Sequence, residues 1–176
     1  MPALLLLAGA LAIGGYLFYN FKNYDPSVFP YSKQQAQAML DNARTTLPRR
    51  DGGGQIQIWS VGPSARGVAL KMQYASWAPV LKCEAVVTAI APEKTRVVPD
   101  CSSGPASDSA MTRTQEELQT PMFEEHILAT LNKRAFDRSR ADRKEVGTVF
   151  KNLGAMQREA VERASEAKRM EAQFGR

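Results

Sequence analysis

Residues 3 to 21, ALLLLAGALAIGGYLFYNF, carry no charged side chain. At about 1.5 Å of rise per residue the run spans roughly 30 Å as a helix, the thickness of a bilayer's hydrocarbon core. Its only polar side-chain atoms belong to Tyr16, Tyr19 and Asn20, near the far end. The run predicts a single transmembrane anchor, held in the lipid bilayer by Leu4, Leu5, Leu6, Leu7, Leu11, Ile13, Leu17 and Phe18. A cleaved secretory signal fits less well, because it needs a basic stretch, an apolar core and then a small-x-small site. Here no Lys or Arg precedes Leu4, and the Ala8-Gly9-Ala10 triplet follows only four leucines. No cysteine stands near the end of the run, which argues against lipoprotein processing. The tyrosines gather with Phe18, Phe21 and Tyr24 where amphipathic rings settle at the headgroup level. Lys22 follows as a snorkelling charge. Ala8, Ala12 and Gly15 form a stripe that would admit a second helix, although short anchors are rich in Ala and Gly anyway.

Beyond the anchor the composition is that of an ordinary globular chain. With 44% hydrophobic and 23% charged residues and a net charge of +5, roughly 150 residues remain for one domain with a modest core. The basic excess is too mild for a charge-driven nucleic-acid binder, and no internal repeat is visible. The boundaries read as 1–21 for the anchor, 22–31 for a neck, 32–136 for an α+β domain, and 137–176 for a basic connector with an amphipathic C-terminal helix. Asp25-Pro26 and Phe29-Pro30 make the neck stiff and extended. Ser32 and Gln35 form a capping box that opens a helix over about 33 to 47, ended by Pro48.

Four strands are predicted next, at Gln55–Val61, Gly67–Tyr74, about Val80–Ile90 and Thr95–Cys101. Their alternating apolar side chains and short connections imply a four-strand antiparallel meander, which needs helices on its apolar face. Ser102 to Ser109 reads as a loop, and Thr120-Pro121 as the start of a further helix with Glu124 and Glu125 in its first turn. From Asp142 to Phe174 the pattern is helical almost throughout, with Val146, Val149, Leu153, Met156 and Ala160 on near-heptad positions as a partner-helix face and Arg163 breaking the seam beyond them. As one helix it would be about 50 Å long, more than a small domain covers; the alternatives are two pieces broken at Gly147 or Gly154, or an end that projects towards a partner.

Cys83 and Cys101 fall on the third and fourth strands, and their midpoint, residue 92, lies in the Ala91–Lys94 turn. Residues equidistant from a hairpin turn face each other, and a directly opposed non-hydrogen-bonded pair suits a disulfide. A loop of three or five residues sets the two opposite; a loop of four misses by one. The bridge would close a loop worth on the order of 3 kcal/mol in the chain-entropy view, and disulfides persist outside the cytosol. The alternative is two buried free thiols. The cysteines favour a periplasmic or extracellular domain, whereas Lys22 and Lys33 after the span, against a lone terminal amine before it, weakly favour a cytoplasmic one. The cysteines carry more weight, so the expectation is a single-pass inner-membrane protein with its domain outside.

Reactive constellations are scarce. His126 is the sole histidine, and the adjacent Glu124 and Glu125 point to different helix faces, so no metal set converges and no cofactor is expected. A Cys–His nucleophile would need an unbridged thiol. Gly52–Gly54 lacks a following Gly-Lys-Ser/Thr, and no G-x-S-x-G occurs. Glu84 and Asp100 read as cross-strand charges on a solvated sheet face, and Trp59, Trp77 and Tyr74 as packing of the meander. Lys133, Arg134, Arg138, Arg140, Arg143 and Lys144 crowd twelve positions opposed only by Asp137 and Asp142. They read as a solvated helix junction, or else as a contact for anionic lipid or nucleic acid. The expected function is non-enzymatic: protein–protein contact in an envelope assembly, with a protein partner or a second copy on the C-terminal helix. The alternative is a membrane-tethered cytoplasmic module using the basic cluster, although nucleic acid is not the expected partner.

Overall fold

Alternation of apolar and polar side chains builds most of the sheet. A computed structural model describes residues 25–101 and 110–174, with side chains described throughout except at 110–116 and 174. The fold is α+β. Strand β1 is Val28–Phe29, helix α1 is Lys33–Asp41, and β2 is Arg44–Pro48. They are followed by β3 at Gln55–Pro63, β4 at Gly67–Gln73, β5 at Leu81–Ala91 and β6 at Lys94–Asp100. Helices α2 (Ala110–Leu131) and α3 (Arg138–Phe174) complete the order. The strands form one six-stranded sheet in the order β1-β6-β5-β4-β3-β2, each neighbour antiparallel.

The four expected strands are present, and two more lie where none is expected. The first helix stops at Asp41 rather than 47. Asn42 caps it, and Arg44–Pro48, with its two threonines, pairs with β3 as an edge strand. Leu47 therefore packs from a strand, not from a helix, because pairing with β3 outweighs its helical spacing. Pro48 is tolerated there as the last residue of an edge. In the neck, Val28 and Phe29 pair with Arg96 and Thr95, and Phe29 enters the core. The capping box is formed as expected: the Gln35 amide donates to Ser32 Oγ at 3.2 Å, and the Ser32 amide donates to Gln35 Oε1 at 2.9 Å.

One sheet face carries Ile56, Ile58, Val68, Leu70, Met72, Ala85, Val87 and Val97, all buried beneath α1 and α2. The other face is solvated, as a one-sided antiparallel sheet allows. Helix α2 supplies Met122, Phe123, Ile127, Leu128 and Leu131 to the core. It begins at Ala110, so Thr120-Pro121 is interior rather than a start, and Glu124 and Glu125 do not lie in a first turn. Gly67 permits close strand approach, since a Cβ there would lie 1.9 Å from the Ala85 carbonyl oxygen.

The hairpin of β5 and β6 resolves the cysteine register. Ala91 faces Lys94 across a tight turn that alone would set Glu84 opposite Cys101. A bulge between Ala89 and Ala91 takes up one residue, and beyond it Val87 faces Val97 and Glu84 faces Asp100. The next step brings Cys83 opposite Cys101, with Cα atoms 4.1 Å apart in a disulfide. Both sulfurs belong to the apolar core.

Helix α3 is continuous over 37 residues, roughly 55 Å. Its first half lies along α2, and from Ala160 to Gln173 every side chain is exposed. Among the described residues no helix is long and apolar enough to cross a membrane. The run at 3–21 with its anchor residues, and the 102–109 loop, lie outside the described residues.

Candidate functional site

The turn from α2 into α3 is organised by Glu125, only 1% exposed. Arg134 grips it with both terminal nitrogens, Nη2 donating to Oε2 at 3.0 Å and Nη1 to Oε1. The Asp137 amide donates to Oε1 at 2.8 Å, and Arg140 Nε stands 3.7 Å from Oε2. Asp137 in turn caps α3, its Oδ1 accepting from the Arg140 amide at 3.1 Å. Two more ties fix the helix. Arg138 pairs with Asp142 and donates to the Pro48 carbonyl at 3.3 Å, while Lys144 pairs with Glu124 at 2.5 Å. Lys133 lies over the Tyr31 ring, 5.9 Å from its centre. Of the six cluster cations, Arg134, Arg138, Arg140 and Lys144 are thus engaged within the chain, and Arg143 is exposed.

His126 is buried in the core beside β2. Its Nδ1 lies 2.8 Å from Thr45 Oγ1, and its Nε2 is buried without a hydrogen-bond partner among the described residues. Burial pushes its pKa down to about 4, so the ring is neutral. On the opposite sheet face Glu84 and Asp100 do form a cross-strand pair, and Arg66 bridges them. Its Nε donates to Glu84 Oε2 at 2.7 Å and its Nη2 to Asp100 Oδ2 at 2.7 Å. Ser64 Oγ donates to Glu84 Oε1 at 2.5 Å, and this bond, before the arginine, holds the Glu84 carboxyl below its usual range. A carboxylate pair clamped by one guanidinium ties the β3–β4 loop to the sheet. Trp77 is 79% exposed in the loop before β5, with the Arg49 guanidinium 5.8 Å over its ring, contrary to the packing expected of it. Tyr74 packs against the core and Trp59 is half-buried.

Several clefts line the surface, among them a small, mostly apolar one between β6 and α2. One of about 460 Å³ lies between α2 and α3, edged by Glu117, Glu124, Lys144 and Lys151. Among the described residues no group of three or more His, Cys, Asp or Glu side chains is placed to hold a metal ion.

The largest departure from a satisfied surface is on α3. Lys144 and Asn152 face α2, the latter donating to Glu117 at 2.7 Å, and Ala141 is buried. The apolar stripe points elsewhere. Val146 is 54% exposed, Phe150 72% and Val161 69%, with Val149 and Leu153 also exposed. Of the expected partner face, Ala160 is exposed as well and Met156 is half-buried.

No protein-family model, no curated protein and no solved structure matches this chain.

What the surface offers is therefore read from its own chemistry: an apolar seam on a projecting helix, set on a corner locked by charge. Heptad counting leaves out Phe150 and Val161, because each follows a counted position, Val149 or Ala160, by one residue and so lies about 100° further round the helix. Glu125, by contrast, gives no sequence signal of its burial. Its ligands Arg134 and Arg140 lie across a turn whose geometry the helical pattern does not specify.

Proposed function

We propose that this chain is a single-pass membrane protein that acts by contact rather than catalysis. Its N-terminal run anchors it, its α+β domain stands outside the cytoplasm, and α3 docks a protein partner within an envelope assembly. The observation that carries this reading is α3 itself: one helix, docked on the domain by its polar side, with Val146, Phe150, Leu153 and Val161 turned outward. Exposed contiguous apolar side chains mark interaction sites. The uncharged run at 3–21 supports the anchor, and the Cys83–Cys101 bridge supports an oxidising compartment. The rival, a cytoplasmic module binding nucleic acid or anionic lipid through Lys133–Lys144, has less support, because most of those cations already have partners within the chain.

Truncation after Met156 removes the projecting part of α3 and keeps the docked part. The expected result is loss of a membrane complex on native gels, with the disulfide-bonded domain still folded by circular dichroism. An undiminished complex would sink the reading.

A further inference from the structure

The stripe on α3 is uneven along its length. Bulky Val146, Phe150 and Leu153 fill its first half, and Ala160, Val161 and Ala164 its second. A charge of each sign stands at its ends, Arg143 before it and Glu171 after it. Both are exposed, and neither forms an ion pair among the described residues. Gln157, midway between these two, lies on the same stripe and is also exposed.

We propose that a second copy of this chain covers the stripe, the two α3 helices running antiparallel about a two-fold axis at Gln157. The proposal rests on the reading of α3 as a contact element and names its occupant. In this register Phe150 faces the partner's Ala164 and Leu153 faces the partner's Val161, so large meets small along the seam. Arg143 meets the partner's Glu171 at each end. Val146 lies under the stem of the partner's Lys168, whose ammonium reaches water. A parallel pair would do the reverse. It would stack Phe150 on Phe150, leave Ala164 against Ala164, and oppose Arg143 to Arg143 and Glu171 to Glu171, with like charges in contact.

Two glycines point the same way. Glycine weakens a helix interior, yet packing within the chain demands neither Gly147 nor Gly154. A Cβ at Gly147 would meet nothing within 4 Å, and at Gly154 only the Arg158 guanidinium, at 3.8 Å. In the antiparallel pair both lie on one flank of the seam, Gly154 beside the partner's Val161 and Gly147 beside the partner's Ser165, where the missing Cβ lets the backbones approach closely. Because the stripe faces away from α2, the two domains sit on the outer sides of the pair and leave the seam unobstructed.

The test uses the full chain in detergent micelles with its Cys83–Cys101 bridge intact, so that only introduced cysteines react with a short bis-maleimide. Gln157→Cys is expected to give covalent dimers alone. Arg143→Cys mixed with Glu171→Cys is expected to give them together, and neither of these two alone, since about 42 Å of helix separates like positions. By sedimentation, Arg143→Glu weakens the dimer at least tenfold and the double exchange R143E/E171R restores it, while the exposed Phe150→Asp abolishes it without unfolding the domain. Covalent dimers from Arg143→Cys alone overturn the antiparallel seam. Monomers from every variant overturn the second copy as occupant. In that case a complex on native membrane gels that still needs α3 leaves the contact reading standing with a different protein on the stripe, and loss of that complex too removes both.

Discussion

His126 shows what a single side chain contributes when burial rather than chemistry sets its state. It is folded neutral, with its pKa pushed down to about 4 by burial, against about 6.5 in an unfolded chain. The unfolded state therefore binds a proton between these values that the folded state refuses. Its contribution to stability is complete above about pH 6.5 and declines as pH falls towards about 4, at up to about 1.4 kcal/mol per pH unit. Protonation would place a charge on a ring whose Nε2 has no acceptor among the described residues. Denaturant titrations of the wild type should show this slope. His126→Leu should lose part of it, although its baseline stability falls with the Thr45 contact. Equal slopes in the two proteins would assign the pH dependence to carboxylates instead. Glu145, its pKa raised by burial first, acts in the opposite direction near the bottom of the window.

Between elements, the decisive contact is the α2–α3 corner. Glu125 is nearly inaccessible while Arg134 and Arg140 are about one-third exposed, so the pair gains from low dielectric at one end only. Removing the carboxylate takes the counter-charge from two guanidiniums and the acceptor from the Asp137 amide. Glu125→Ala should cost on the order of 3 kcal/mol in urea denaturation. In the chain truncated after Met156, which lacks Glu171, Arg143→Ala in the same basic stretch should stay within about 0.5 kcal/mol. Equal costs would mean that the cluster is a uniform solvated run after all. Helical periodicity alone shows that α2 and α3 exist and where their apolar residues recur. It does not show which side of α3 meets α2, because Lys144, Asn152 and Ala141 dock it there by polar pairs and a small side chain.

For the whole molecule, compartment follows from the state of one bridge. On intact cells, a membrane-impermeant thiol reagent should label Cys83 and Cys101 only after reduction. Labelling that needs cell opening and no reductant would place the domain in the cytoplasm and favour the rival reading. The sequence by itself determined the strongly patterned parts: the apolar run, the four meander strands, the Ser32–Gln35 cap and the candidate cysteine pair. In each the information is local, a period of two, a short turn or a length of uncharged chain. Tertiary structure alone decided the rest. Arg44–Pro48 is a strand because β3 offers it hydrogen bonds, although its spacing suits a helix. Pro121 lies within a helix that begins at Ala110, although its spacing suits a start. Cys83 reaches Cys101 only through a bulge that takes up one residue. The stripe on α3 is left bare because docking by the opposite, polar side satisfies the ion pairs of the corner.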